Sequence, residues 1–279
     1  MRIVSALRRL TGWRQPTRRM DDVDPQVIGY EEFRTIPAEA LRAKLASDPP
    51  EAARWVRAGA RHGFPEAQLI IGQMLLDGFG VDRDRAAALR WFRHAAAAGL
   101  PEAMNMVGRC HELGWGVAPD PVAAAVWYRR AAERDLDWGQ YNFANLLLRG
   151  SGVPRDRRAA LAWYRRAAAK GHAKSMNLIG RFLEEGWDIP CDPLGAVTWY
   201  HRSAEAGDYR GQFNFAAILA GQGQIVEAQR WFRAAVACGS HDFRQAAGEY
   251  LSGRREPELR EIGHAALARR DDAQAEAVA

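Results

Sequence analysis

Among the residues able to carry chemistry, Cys110-His111-Glu112 makes the strongest first claim, joining a thiol, an imidazole and a carboxylate in one tripeptide. Such a set would serve a metal ion or a nucleophile–base pair. On a helix, however, adjacent side chains point in different directions and do not converge. No second set of ligands stands at metal spacing. The seven histidines (His62, His94, His111, His172, His201, His241 and His264) recur at different places in the chain and form no common cluster. The three cysteines, Cys110, Cys191 and Cys238, are odd in number and far apart, so neither a disulfide framework nor a paired-cysteine zinc site is implied. Gly-x-Gly occurs repeatedly, without the lysine or flanking strand that a phosphate-cradling loop requires. No Ser/His/Asp arrangement can be located. The expectation is a chain with no catalytic residues, no metal and no cofactor.

The elements that hold these residues are set by a repeat. Trp55, Trp91, Trp127, Trp163 and Trp199 stand 36 residues apart, and Trp231 follows after 32. The next residue is aromatic in Phe92, Tyr128, Tyr164, Tyr200 and Phe232, and paired alanines follow at 95–96, 131–132 and 167–168. Seven residues before the first five tryptophans stand Asp48, Asp84, Asp120, Asp156 and Asp192. An aspartate there can cap a helix by accepting from the free N–H groups of its first turn. Pro49, Pro121 and Pro193 come next, at the first helical position, where a missing N–H costs nothing. Eight residues beyond the tryptophans lie Gly63, Gly99, Gly171, Gly207 and Gly239, with Asp135 as the exception; glycine tolerates the left-handed backbone that ends a helix.

A second helix precedes each of these. Its small residues, such as Ala67 and Gly72 or Ala103 and Gly108, allow close helix approach, and it stops at turns such as Gly78-Phe79-Gly80 and Gly114-Trp115-Gly116. Val81, Val117, Val153 and Ile189 are expected to turn inward and plug the loop between the two helices. Full units are read at 65–100, 101–136, 137–172 and 173–208, with a shortened unit at 209–240. An imperfect leading unit covers about 37–64 and a half unit 241–252, since terminal repeats must present one face to water. Six tryptophans would then form the buried spine, each worth roughly 1.5–3 kcal/mol.

This combination resembles the Sel1-like repeat family, relatives of the tetratricopeptide repeats, over residues 37–250. The resemblance implies an all-α, right-handed α-solenoid of stacked helix–turn–helix repeats, acting as a scaffold or adaptor, often in bacteria. No enzyme is expected; a cryptic enzyme with scattered catalytic residues is the lesser alternative. Some secreted members staple each repeat with paired cysteines; this chain has none, which fits a cytoplasmic home with reduced thiols.

By analogy with tetratricopeptide geometry, a concave groove would be lined by Gln73 and Asp77; Glu102, Asn105, Arg109 and Glu112; Trp138, Tyr141, Asn145 and Arg149; Lys174, Asn177, Arg181, Glu184 and Glu185; and Arg210 and Phe213. The residues expected to bind are Gln73, Asn105, Arg109, Trp138, Tyr141, Asn145, Arg149, Lys174, Asn177, Arg181, Arg210 and Phe213. Arginine and asparagine grip carboxylates and backbone amides, while aromatic side chains anchor. The expected partner is a protein or peptide, an extended or acidic segment lying across units two to five. Solvated helix faces are the plainer alternative, with Glu112, Glu184 and Glu185 neutralising the arginines.

The ends and the charge complete the picture. The formal charge is +5, yet residues 1–20 alone carry +6, so the other 259 residues sum to −1 and lack the footprint that nucleic acid requires. Residues 1–13 are basic and amphipathic if helical, which offers a membrane-surface adaptor as the alternative function; a mobile leader is the simpler reading. Residues 14–36 read as a linker, and 253–279 as a capping helix from Glu256 to Arg269 followed by a disordered tail. No run of about 18 apolar residues suggests a membrane span. A monomer is expected.

Overall fold

The computed structural model describes residues 28, 33, 38–45 and 48–276. The basic amphipathic segment 1–13 lies outside the described residues. Among those described there is no strand. The described residues form fourteen α-helices: α1 (Ala38–Leu45), α2 (Pro49–Arg61), α3 (Pro65–Asp77), α4 (Arg85–Ala97), α5 (Pro101–Leu113), α6 (Pro121–Glu133), α7 (Asp137–Arg149), α8 (Arg157–Ala169), α9 (Ala173–Glu185), α10 (Pro193–Glu205), α11 (Tyr209–Gly221), α12 (Ile225–Cys238), α13 (His241–Ser252) and α14 (Pro257–Glu276). The helices fall into two compact units, residues 1–155 and 156–279, divided inside the 137–172 repeat. Within each compact unit consecutive helices pack in pairs, as an α-solenoid requires. No described helix is long and apolar enough to cross a membrane.

The repeat punctuation does its work locally. Asp84, Asp120, Asp156 and Asp192 each accept from backbone N–H groups of the following first turn, at 2.8–3.0 Å. Asp48 departs from expectation: it occupies the same position but its side chain makes no cap hydrogen bond. Gly78, Gly114, Gly150 and Gly186 end the first helices in the left-handed conformation. The second glycine of the turn has a further role. A Cβ on Gly80, Gly116 or Gly152 would collide with the carbonyl of Pro49, Arg85 or Pro121, so each turn rests on the start of the preceding repeat's second helix. Where the fourth full unit has Asp188 instead, the backbone stays left-handed at φ 56° and the carboxylate takes an ion pair with Arg157 at 3.6 Å. Asp135 likewise adopts φ 64° in place of glycine, whereas Gly239 is extended and closes its helix without a left-handed residue. Val81, Val117, Val153 and Ile189 are half-buried, consistent with loop plugs.

The core corrects the role given to the tryptophans. Phe92, Tyr128, Tyr164, Tyr200 and Phe232, one residue further on, are the fully buried aromatics. Trp55 is buried, but Trp91, Trp127, Trp163, Trp199 and Trp231 are only half-buried. Successive residues on a helix differ by about 100°, so only one of each aromatic pair can face the interior. The tryptophans instead seal the flank, and a cation from the next turn covers several of them: Arg130 over Trp127 at 4.8 Å, Arg166 over Trp163 at 4.6 Å and Arg202 over Trp199 at 4.9 Å.

Both ends hold more structure than the sequence suggests. Ile28 and Phe33, within the segment read as linker, are buried in the first core. Phe33 meets Trp55, His62 and Phe64, and the Ile28 carbonyl lies 3.2 Å from His62 Nε2. At the other end α13 is the helix of residues 241–252. It packs on α14 through Gly248 and Gly263, each too close to the other helix for a Cβ, and α14 continues to Glu276 rather than ending at Arg269. Leu259, Ile262 and Ala266 of α14 close the second core, together with Leu251 of α13.

Candidate functional site

In unit 1 the first helices of adjacent repeats leave a cavity of about 550 Å³. α3 contributes Leu69, Ile70, Gln73, Leu76 and Asp77, and α5 contributes Glu102, Asn105, Met106 and Arg109. Both sets follow helical spacing and so occupy one face of their helix. Leu136 and Trp138 close the far side, and Trp115, Arg83 and Arg85 reach in from the connecting loops and the start of α4. The floor is aliphatic and the rim is polar, a composition typical of ligand-binding concavities.

Several of its polar groups are held. Gln73 donates to Asp77 Oδ2 at 2.8 Å. Asn105 is buried and accepts from the Asn142 side chain at 2.8 Å, tying α5 to α7. The Arg109 guanidinium lies 4.8 Å from the centre of the Trp115 ring and donates weakly to Met106 Sδ at 3.9 Å, which holds it at the cavity edge. Arg83 donates to the Leu76 carbonyl at 3.0 Å. Trp138 is 41% exposed and meets Tyr141 edge-on, with ring centroids 6.0 Å apart. The cavity therefore brings together Gln73, Asn105, Arg109 and Trp138 of the expected set, with Tyr141 against its aromatic wall. Asn145 and Arg149 lie further along α7.

Unit 2 repeats the motif. Asn177 accepts from Asn214 at 2.9 Å, as Asn105 does from Asn142, and Arg181 stacks on Trp187 at 5.1 Å, as Arg109 does on Trp115. Lys174 is half-buried in the first turn of α9, and Arg210 lies over Tyr209 at 4.8 Å. Phe213 is committed elsewhere. It meets Phe232, Phe243 and Tyr250 at 5.2–5.6 Å in an aromatic cluster on the second core.

Two glutamates expected to neutralise groove arginines serve another purpose. Tyr128 donates to Glu112 at 2.6 Å and Tyr200 to Glu184 at 2.5 Å, so the carboxylates satisfy the hydroxyls of the buried ring layer. Burial, and then this hydrogen bond, push both phenols far above the ordinary tyrosine range. The tempting tripeptide also disperses. Cys110 is fully buried, and burial raises its thiol to about 11. His111 faces Arg93 at 3.4 Å, its pKa lowered by burial and by that cation, and Glu112 serves Tyr128. Among the described residues no group of three or more His, Cys, Asp or Glu side chains is placed to hold a metal ion.

The Sel1 repeat model matches residues 65–100, 101–136, 139–172 and 173–208, more than half of the chain. The chain belongs to the Sel1 repeat family. A Sel1 repeat protein from Oxalobacter formigenes is similar in structure, with a TM-score of 0.71 and 25% identity over 86% of this chain and 99% of that one. A protective antigen of uropathogenic Escherichia coli with an SLR fold gives a TM-score of 0.63 at 28% identity; the match covers 82% of this chain and 51% of the antigen. An immunity protein from Pseudomonas aeruginosa shares the fold at 14% identity and a TM-score of 0.51, over 73% of this chain and 80% of that one. A comparison with curated proteins gave no match. Sel1 repeat proteins are generally non-enzymatic scaffolds that bind protein partners.

The apolar floor of the cavity escaped sequence reasoning. Leu69, Ile70, Leu76, Met106 and Leu136 look like ordinary core positions; Ile70, Leu76 and Met106 are buried at the base of the cavity, and only Leu69 and Leu136 are partly exposed. Arg83 and Trp115 sit in turns, where helical position carries no information. The signal for Trp115 was present in the Gly114-Trp115-Gly116 turn, which holds a large aromatic where the preceding repeat has Phe79.

Proposed function

We propose that the cavity of unit 1 receives an extended peptide segment of a partner protein, seating one bulky apolar side chain on Leu69, Ile70 and Met106. Arg109 and Asn105 then hold the peptide carbonyls or a neighbouring carboxylate. The supporting observation is the cavity of about 550 Å³ itself, in which an aliphatic floor is edged by a stacked arginine, buried amide groups and an exposed tryptophan. Aromatic and arginine side chains of this kind dominate binding at protein interfaces. The rim also carries Asp77 and Glu102, so its charge is mixed, which favours an apolar anchor over a run of acids.

A random peptide library selected on the full chain tests this reading. Selected sequences should share one large apolar residue, and Trp138→Ala or Arg109→Glu should weaken their binding at least about tenfold, or about 1.4 kcal/mol. Selected peptides that bind both variants unchanged would remove the cavity as the site. We further propose a monomer residing in the cytoplasm. Three unpaired cysteines support that compartment, and light scattering after size exclusion tests the oligomeric state.

A further inference from the structure

The second helices of unit 2 carry a charge pattern that the groove does not use. The sequence of α8, RRAALAWYRRAAA, has four arginines and no carboxylate. Arg165 and Arg166 are its ninth and tenth residues, and both are exposed. The same positions hold His201 and Arg202 in α10, and Arg233 in α12. Unit 1 has the same arrangement, with Arg93 and His94 in α4 and Arg129 and Arg130 in α6. Summing charge over the whole chain hides this, because the balancing carboxylates sit elsewhere. Two are the capping aspartates Asp156 and Asp192, at the opposite end of α8 and α10.

We infer that the exposed face of α8, α10 and α12 is a second docking surface, for an extended acidic segment of a protein. The inference does not depend on the groove. Arg166 lies over the Trp163 ring at 4.6 Å and Arg202 over the Trp199 ring at 4.9 Å, and both residues stay exposed, so each cation is held against a ring on the open face, where arginine can grip carboxylates. Along α8 the positive ground is short. Asp156 caps the start of α8, ten residues and so about 15 Å before Arg166. A membrane plane or a nucleic-acid duplex extends beyond this ground and would meet these capping carboxylates, whereas an extended chain follows the arginines alone. Glu205, paired with His201 at 3.6 Å, further confines the positive ground to the arginine positions.

Fluorescence anisotropy with a short labelled Glu/Ser peptide and the full chain at low salt tests this surface. A single-stranded oligonucleotide and phosphatidylserine-containing vesicles serve as competing ligands. The peptide should bind, release as salt rises, and lose about tenfold in affinity in Arg165→Gln/Arg166→Gln. Arg202→Gln/Arg233→Gln reads the same surface if the first pair loses helicity. Arg109→Glu should leave this binding unchanged, which separates the surface from the groove. No peptide binding, equal loss in Arg109→Glu, or preference for the oligonucleotide or the vesicles would each overturn the inference.

Discussion

Gly108 lies directly beneath the ring of Tyr128, so close that a Cβ there would stand 2.6 Å from Cδ1. The contact recurs between Gly72 and Phe92 at 2.5 Å and between Gly180 and Tyr200 at 2.7 Å. It is the point at which the two helices of a repeat fit together. Each ring is fully buried, and Tyr128 and Tyr200 are also anchored by their hydroxyls.

Gly108→Ala should therefore destabilise unit 1 despite the better helix propensity of alanine. The propensity gain is about 1 kcal/mol, while overpacking a closed core costs about 1–3 kcal/mol. The anchored ring favours the upper part of that range, leaving a net loss of about 1–2 kcal/mol. Urea unfolding followed by helicity measures it, and a stabilised variant would show that the ring can move aside.

Glu112→Ala should cost about 1–3 kcal/mol, because it strands the hydroxyl of a buried tyrosine. Adding Tyr128→Phe to that variant should recover part of the loss, since no unpaired group then remains. A double variant less stable than Glu112→Ala would show that Glu112 acts through something other than Tyr128. The same comparison applies to Glu184 and Tyr200.

The repeat was legible in the sequence because it is written in local chemistry. Asp120 caps its helix and Gly114 ends the one before it whatever lies further away. Which member of a Trp-Tyr pair faces inward is a tertiary matter. Tyr128 won that place because Gly108, twenty residues earlier, makes room for it. Glu112 was misread for a similar reason, its partner lying sixteen residues along the chain. The place of Arg109 and Asn105 on the open side of their helix follows from their position on the repeat, whereas the apolar lining beside them does not. The burial of Ile28 and Phe33 could not be inferred either, as nothing periodic precedes the first repeat.

Thiol reactivity should separate the cysteines. Cys191 and Cys238 are exposed and should react promptly with a thiol reagent at neutral pH, while Cys110 should react only on unfolding. Stability should also fall in alkali. The Cys110 thiol and the Tyr128 and Tyr200 phenols have folded pKa values raised above their ordinary 9.0 and 10.0. The unfolded chain therefore releases these protons first. Their contribution is complete below about pH 9 and drains away as the pH rises beyond it. Urea midpoints measured from pH 7 to pH 11 should decline over the upper half of that range. A flat profile, or rapid labelling of all three cysteines in the folded protein, would contradict the burial of this layer.

The groove is tested most directly by placing a photo-crosslinking benzophenone side chain at Gln73, inside the cavity, and separately at Val122, exposed on the second helix of the following repeat. Each protein would be irradiated with a neutral peptide selected on the wild-type chain, and the adducts mapped by mass spectrometry. The account predicts an adduct from position 73, lost when Arg109→Glu is added, and none from position 122. An adduct from position 122 with none from position 73 would place the partner outside the cavity and contradict the account.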